Sequence, residues 1–164
     1  MGALIVHRQL TIDRWQWLDA SESPLPHAAI VVPLARLRSE HDALSARPGD
    51  LGVLLQPDED PLELSQLLGR LTLIAVNFPS FTDGRGYSIA RLLCDRLGWK
   101  GELRAVGDIQ RDQVFYLSRV GFNAFSLKDG QDPEDALRAF NDFSAAYQAS
   151  VAPPLPRLLR QASQ

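Results

Sequence analysis

Four strand-like segments alternate with helix-like segments from residue 51 onward, and this alternation limits the possible folds more than any other feature. The strand-like segments cover residues 51–55, 71–78, 102–106 and 123–127. The helix-like segments begin near residue 60 and then cover residues 87–97, 109–120 and 133–149. Successive strand–helix units build a mainly parallel sheet with right-handed crossovers. The sequence therefore predicts one α/β domain, either an open flavodoxin-like sheet or a partial TIM-type barrel.

Two of the predicted helices begin with the same capping pattern. Residues 60–63 read Asp-Pro-Leu-Glu and residues 132–135 read Asp-Pro-Glu-Asp. An aspartate at the N-cap, a proline at the first helical position and an acid in the first turn all favour a helix start. We therefore expect α-helices to begin at Pro61 and at Pro133.

The chain is predicted to form a single domain over residues 1–164. Residues 1–50 are less regular, with short strands at 3–6 and 9–12, a buried strand at 28–32 and a helix at 34–44. Residues 51–149 hold the four strand–helix units, and residues 150–164 form a proline-rich tail. A length of 164 residues suits one domain with a sizeable core.

Composition excludes several classes of partner and cofactor. A formal net charge of −3 gives no electrostatic footprint for nucleic acid, and no apolar run is long enough to span a membrane. The only cysteine, Cys94, cannot form an internal disulfide. The start of the chain lacks a signal-peptide core, so we expect a cytoplasmic protein. No GxGxxG loop, cysteine cluster or haem motif occurs, and we expect no cofactor.

Polar residues collect in the loops that follow the predicted strands. In consecutive parallel units these loops share the carboxyl edge of the sheet, where ligands of α/β folds usually bind. The predicted site for an anion or a partner consists of Asp83, Gly84, Arg85, Gly86, Tyr87, Ser88, Arg91, Asp108, Arg111, Asp112 and Gln113. No catalytic residue can be assigned.

The Asp83-Gly84-Arg85-Gly86 loop is the centre of this predicted site. Glycines allow a ligand to approach the backbone, arginine supplies positive charge, and the following helix start offers amide donors. A tight turn capped by Asp83 or Ser88 explains the same residues without a ligand. Arg91 either points back toward the loop or pairs with Asp95 four residues away.

Three aspartates offer an alternative chemistry. Asp83, Asp108 and Asp129 follow three successive strands, and three converging carboxylates can hold Mg²⁺. Capping by Asp108 and a turn at Asp129 explain two of them without a metal, and our main reading assigns none. Cys94 has no histidine nearby in sequence, so an inert thiol is favoured over a nucleophile.

Three distinctive stretches of the chain are residues 83–93 (DGRGYSIARLL), 101–108 (GELRAVGD) and 121–125 (GFNAF). On these stretches the chain resembles a bacterial family known as domain of unknown function 934. The resemblance implies a gene encoded beside the haem-containing sulfite reductase of sulfate assimilation, and a label of oxidoreductase. It implies no mechanism, and any redox centre would belong to a partner.

Three functional hypotheses follow. The first is an accessory protein of assimilatory sulfite reduction, in which Arg85, Arg91 and Arg111 bind an oxyanion or a carboxylate patch on the sulfite reductase haemoprotein. The second is a Mg²⁺-dependent, barrel-like enzyme acting on an anionic small molecule. The third is a non-catalytic interaction module. A partial barrel also exposes sheet edges, which makes a homo-oligomer an expected arrangement.

Overall fold

A computed structural model describes residues 2–141 as one mixed α/β domain around a single curled sheet. Its strands are β1 (Leu4–Val6), β2 (Gln9–Thr11), β3 (Gln16–Trp17), β4 (Ile30–Pro33), β5 (Leu51–Leu55), β6 (Leu73–Phe78), β7 (Glu102–Gly107) and β8 (Ala124–Ser126). They lie in the order β2-β1-β8-β7-β6-β5-β4-β3. Neighbours from β3 to β8 are parallel, whereas β1 is antiparallel to β2 and β8. The predicted mainly parallel sheet is confirmed.

The strand order selects one of the two predicted architectures. Strands β3 to β8 are adjacent in the order in which they occur in the chain, as in a barrel, whereas a flavodoxin-like sheet reverses its order at a switch point. Strands β2 and β3 lie at opposite edges, yet only residues 12–15 join them. The five Cα–Cα steps from Thr11 to Gln16 can span at most about 18 Å. A flat sheet of this size is about 34 Å wide, so the sheet must curl into a half-barrel.

The described helices are α1 (Leu34–Ser39), α2 (His41–Ala46), α3 (Arg85–Arg91), α4 (Val114–Arg119) and α5 (Pro133–Ala139). The start of α5 is confirmed, because the Asp132 side chain accepts a hydrogen bond from the Glu134 amide at 2.9 Å. Nothing in residues 2–141 forms a helix both long and apolar enough to cross a membrane. The predicted continuation of α5 to residue 149 and the tail at 150–164 lie outside the described residues.

Other predicted helices are corrected. Asp60 caps only a 3-10 turn, Pro61–Leu64, and not an α-helix. The hydrogen bonds that follow still join residues three positions apart, as from the Leu67 amide to the Leu64 carbonyl, which is the 3-10 pattern. Gly69 in this stretch also disfavours an α-helix. The helix predicted at 34–44 breaks into α1 and α2 at Glu40, whose backbone is not helical (φ −117°, ψ 23°).

The two faces of the sheet are covered differently. The outer face packs against the helices and forms the main core, with Val53, Ile74 and Phe78 fully buried. On the inner face a smaller cluster joins Trp15, Ala29, Val31 and Leu73. The segment between β2 and β3 therefore contributes side chains that cover part of the inside of the half-barrel.

Arg104, at the centre of β7, is a buried charge beside this inner cluster, with 1% of its surface exposed. Its Nε and Nη2 donate to Glu102 Oε1 at 2.8 and 2.6 Å. Its Nη1 lies 3.0 Å from Asp13 Oδ2, but without hydrogen-bond geometry, so that contact is Coulombic. The Trp17 ring lies over the guanidinium at 5.6 Å. Arg104 therefore links the β2–β3 segment to the middle of the sheet.

Candidate functional site

The carboxyl ends of β5 to β8 meet at one edge of the sheet, which we call the carboxyl rim. It consists of the loops at residues 56–60, 79–84, 108–113 and 127–132 together with the first helical turn after each loop. Because these strands are adjacent and parallel, the loops lie side by side. All the predicted site residues lie in the rim except Arg91, which is at the end of α3.

Asp83 and Arg85 form a closed ion pair in the glycine-rich loop. Arg85 Nη2 and Nε donate to the Asp83 carboxylate at 2.6 and 3.0 Å, and the Arg85 amide donates to it at 3.1 Å. These bonds hold the pKa of Asp83 below its ordinary value and raise the pKa of Arg85. The Arg85 side chain is 59% exposed. A ligand must therefore share this guanidinium with Asp83.

The two glycines of the loop differ in how much space a side chain would have at each position. A Cβ atom at Gly86 would lie 2.6 Å from Cε1 of the buried Phe78 ring, so glycine lets α3 pack closely on β6. A Cβ atom at Gly84 would meet nothing within 4 Å. Tyr87 packs edge-on against Phe78, and burial raises the pKa of its hydroxyl. Gly86 is thus explained by packing without a ligand.

Phe81 is held in place through its backbone. Its amide donates to Asp108 Oδ2 at 3.2 Å, and its carbonyl accepts from Gln113 Nε2 at 3.0 Å. Both partners belong to the neighbouring loop after β7, while the Phe81 residue is 55% exposed. The structure therefore fixes the backbone of an aromatic residue whose side chain faces solvent.

Asp108 joins three loops of the rim. Besides the Phe81 amide, it accepts from Gln110 Nε2 at 3.3 Å and lies 3.3 Å from Lys128 Nζ. Hydrogen bonding by Gln110, then Lys128 and the Phe81 amide, lowers the pKa of Asp108. Gln110 and Gln113 also cap each other across the turn that precedes α4. Asp108 is therefore ionised at neutral pH and tied to the protein itself.

The three arginines of the predicted site have separate carboxylate partners. Arg85 pairs with Asp83, Arg91 lies 3.9 Å from Asp95, and Arg111 Nε lies 2.8 Å from Asp135. The Arg91–Asp95 alternative is thus the one that the contacts support. Ser88 and Asp112 are exposed. Anion binding by this set remains a prediction.

The three aspartates of the magnesium alternative do not form a cluster. Within residues 2–141, no three His, Cys, Asp or Glu side chains lie close enough to hold a metal ion. Asp83 and Asp108 instead bind Arg85 and Lys128, respectively. The structure gives this alternative no support.

A comparison with known protein families identifies the family of this chain. The sequence profile of a family described as a bacterial protein of unknown function (DUF934) matches residues 52–158, well over half of the chain. The chain belongs to this family. No curated protein matches it. The matched span includes β5 from its second residue onward, β6 to β8 and the whole carboxyl rim of this DUF934 protein.

Two features of this DUF934 chain are not predicted from its sequence. Phe81 lies two residues before the Asp83-Gly84-Arg85-Gly86 loop, but nothing in the sequence indicates that Asp108 and Gln113 hold its backbone. Arg104 did leave a signal, because Glu102 and Arg104 alternate with Leu103 and Ala105 in a strand. That pattern indicates one polar strand face, although it does not identify Asp13 as the partner.

The opposite edge of the DUF934 fold contains a shallow cleft of about 320 Å³. It is lined by Cys94, Asp95, Trp99, Lys100, Gly101, Gly121 and Asn123. Burial raises the pKa of the Cys94 thiol, which keeps it protonated at neutral pH and is consistent with an inert thiol. Asn123 is occupied in fold stabilisation, since it bonds the Leu103 amide and the Gly101 carbonyl.

Proposed function

We propose that this DUF934 protein is an accessory protein of assimilatory sulfite reduction whose carboxyl rim binds a partner protein. The pathway and the partner, a sulfite reductase haemoprotein, are suggested by the family resemblance. The single observation that supports a binding rim is the exposed Phe81, whose backbone is held on both sides by Asp108 and Gln113.

An exposed aromatic residue whose backbone is held in place is well suited to binding. Ordering a mobile loop on association costs free energy, and a backbone that is already held in place avoids much of this cost. The buried anchors of protein interfaces are enriched in aromatic residues and arginine. Phe81 combines a held backbone with 55% exposure, which supports its role as an anchor.

The neighbours of Phe81 also resemble an interface more than a reaction centre. Gln113, which bonds the Phe81 carbonyl, lies one turn before Tyr116, and Tyr116 is 53% exposed. Arg85, at the start of α3, directly follows the loop that contains Phe81, and its side chain is 59% exposed. Aromatic residues and arginine are enriched at interfaces.

A free small anion is a weaker candidate for this rim. The Arg85 guanidinium is already bound by Asp83 through two nitrogens, and Lys128 is next to Asp108. An oxyanion would have to compete with both carboxylates. A protein partner can instead bury Phe81 and Tyr116 while leaving both ion pairs intact.

Genetic complementation tests this proposal. A strain that lacks the gene should fail to grow with sulfite as the only sulfur source and should grow when sulfide is supplied. The wild-type gene should restore growth, whereas Phe81→Ala should not, because the anchor is missing. Leu25→Ala removes an apolar side chain outside the rim, from a residue that is 63% exposed, and should restore growth fully.

Two outcomes would contradict the proposal. Normal growth of the deletion strain on sulfite would remove the role in sulfite reduction. Full complementation by Phe81→Ala, at the protein level of the wild type, would remove the role of the rim.

A further inference from the structure

The carboxyl rim carries an excess of negative charge. The loop after β5 contributes Asp58, Glu59 and Asp60 without a basic residue, and the rim part after β8 contains one lysine among four acids. The exposed acids of the rim are Asp58, Asp60, Glu63, Asp112, Asp129, Asp132 and Glu134. The formal charge of the whole chain is only −3, so the negative charge is concentrated at this edge.

Basic side chains at the rim are matched by carboxylates. Lys128 lies beside Asp108, Arg85 pairs with Asp83, and Arg111 lies 2.8 Å from Asp135 and 3.4 Å from Asp112. Arg38, on nearby α1, donates to both oxygens of Glu63 at 2.6 and 2.7 Å. Because the rim contains more acidic than basic residues, its net charge is negative even with these pairs formed.

The amino edge of the sheet has the opposite character. Arg70 donates to the carbonyl oxygens of Ser45, Arg47 and Gly49, which are neutral acceptors. Burial and the neighbouring Arg70 both lower the pKa of Arg47, as expected for two cations close together. The amino edge therefore carries two neighbouring cations near the Arg14–Asp50 pair, whereas acidic residues predominate at the carboxyl rim.

We infer that the partner of the carboxyl rim presents a basic surface around an apolar pocket that receives Phe81. This inference rests on the proposed function and adds the chemistry of the partner. Complementary potentials accelerate encounter and exclude wrong partners. The sequence suggested that Arg85, Arg91 and Arg111 bind a carboxylate patch on the partner. The excess of acidic residues in the rim would repel such a patch.

Calorimetric titration of the purified sulfite reductase haemoprotein into the full chain tests the inference. The double variant Asp58→Asn, Asp112→Asn should bind about tenfold more weakly than wild type at about 50 mM salt, and the difference should largely disappear near 0.5 M. The control Asp42→Asn, Asp95→Asn removes the same charge outside the rim and should bind like wild type. Phe81→Ala should weaken binding at both salt concentrations.

The outcomes separate this inference from the proposed function. Binding that depends on Phe81 but not on salt or the rim acids would overturn the inference and leave the proposed function standing. Tighter binding by the rim double variant would also overturn it. Wild-type chain that does not bind the haemoprotein would overturn both. Concentration-dependent self-association lost in the rim double variant would identify a second copy as the occupant and overturn the inference.

Discussion

Replacement of Arg104 by alanine should lower the free energy of unfolding by about 3 kcal/mol, because it leaves two partly buried carboxylates without a cation. Glu102 and Asp13 keep 19% and 16% of their side-chain surface exposed, so water can compensate only a fraction of the lost interaction. The shortened side chain also leaves a cavity beneath Trp17. Urea unfolding followed by tryptophan fluorescence measures the effect.

Arg91→Ala is the matched control for Arg104. The Arg91–Asp95 pair is 3.9 Å long and about half exposed on both sides. Exposed pairs of this kind contribute little, so the change should stay within about 0.5 kcal/mol. A loss below about 1 kcal/mol for Arg104→Ala would contradict the assigned role of the buried ion network.

Replacement of Gly107 by alanine should cost at least about 3 kcal/mol, through backbone strain and a direct clash. Gly107 has φ +99°, a conformation that residues with a side chain rarely adopt. A Cβ atom there would strike the Phe78 carbonyl and lie 2.6 Å from Asn77 Oδ1. The β6–β7 pairing must therefore shift, and Asp108, the next residue, must move with it.

The Gly107 prediction has a control in the same rim. Gly84 has φ −87° and open space around its Cα, so Gly84→Ala should change the free energy of unfolding by less than about 1 kcal/mol. Thermal unfolding by circular dichroism compares the two variants. Equal melting temperatures for Gly107→Ala and wild type would show that the β6–β7 junction tolerates a side chain.

The strand–helix units were predictable because their signals are local. Apolar runs such as residues 51–55 form buried strands with little ambiguity, and the Asp132-Pro133 pattern marks the start of α5. The same pattern at Asp60 led to a wrong prediction of an α-helix, because a good N-cap starts a helical turn without ensuring that the helix continues. Continuation depends on the residues that follow and on where the chain must run next.

The curled sheet and the inner face were not predictable, because they depend on contacts far apart in sequence. Strand β3 has only two residues and exists because it pairs with β4. The contact between Asp13 and Arg104 joins residues that are 91 positions apart along the chain. Local patterns contain no information about such a pairing.

The location of the rim could be predicted, but its internal contacts could not. Because parallel units place their loops at one edge, the sequence alone predicts that the Asp83–Arg85 and Asp108 loops lie close together. The sequence does not reveal that nearby carboxylates already occupy the arginines. It also gave Phe81 no special role, because backbone hydrogen bonds to side chains of another loop leave no sequence signature.

Hydrogen–deuterium exchange of the full chain, with and without the sulfite reductase haemoprotein, tests most directly that the carboxyl rim binds this partner. We expect slower exchange on complex formation in peptides covering residues 56–60, 79–86 and 108–116, with no change at 98–101 and 121–123 on the opposite edge. Protection confined to the opposite edge, or no protection at saturating haemoprotein, would contradict the central claim.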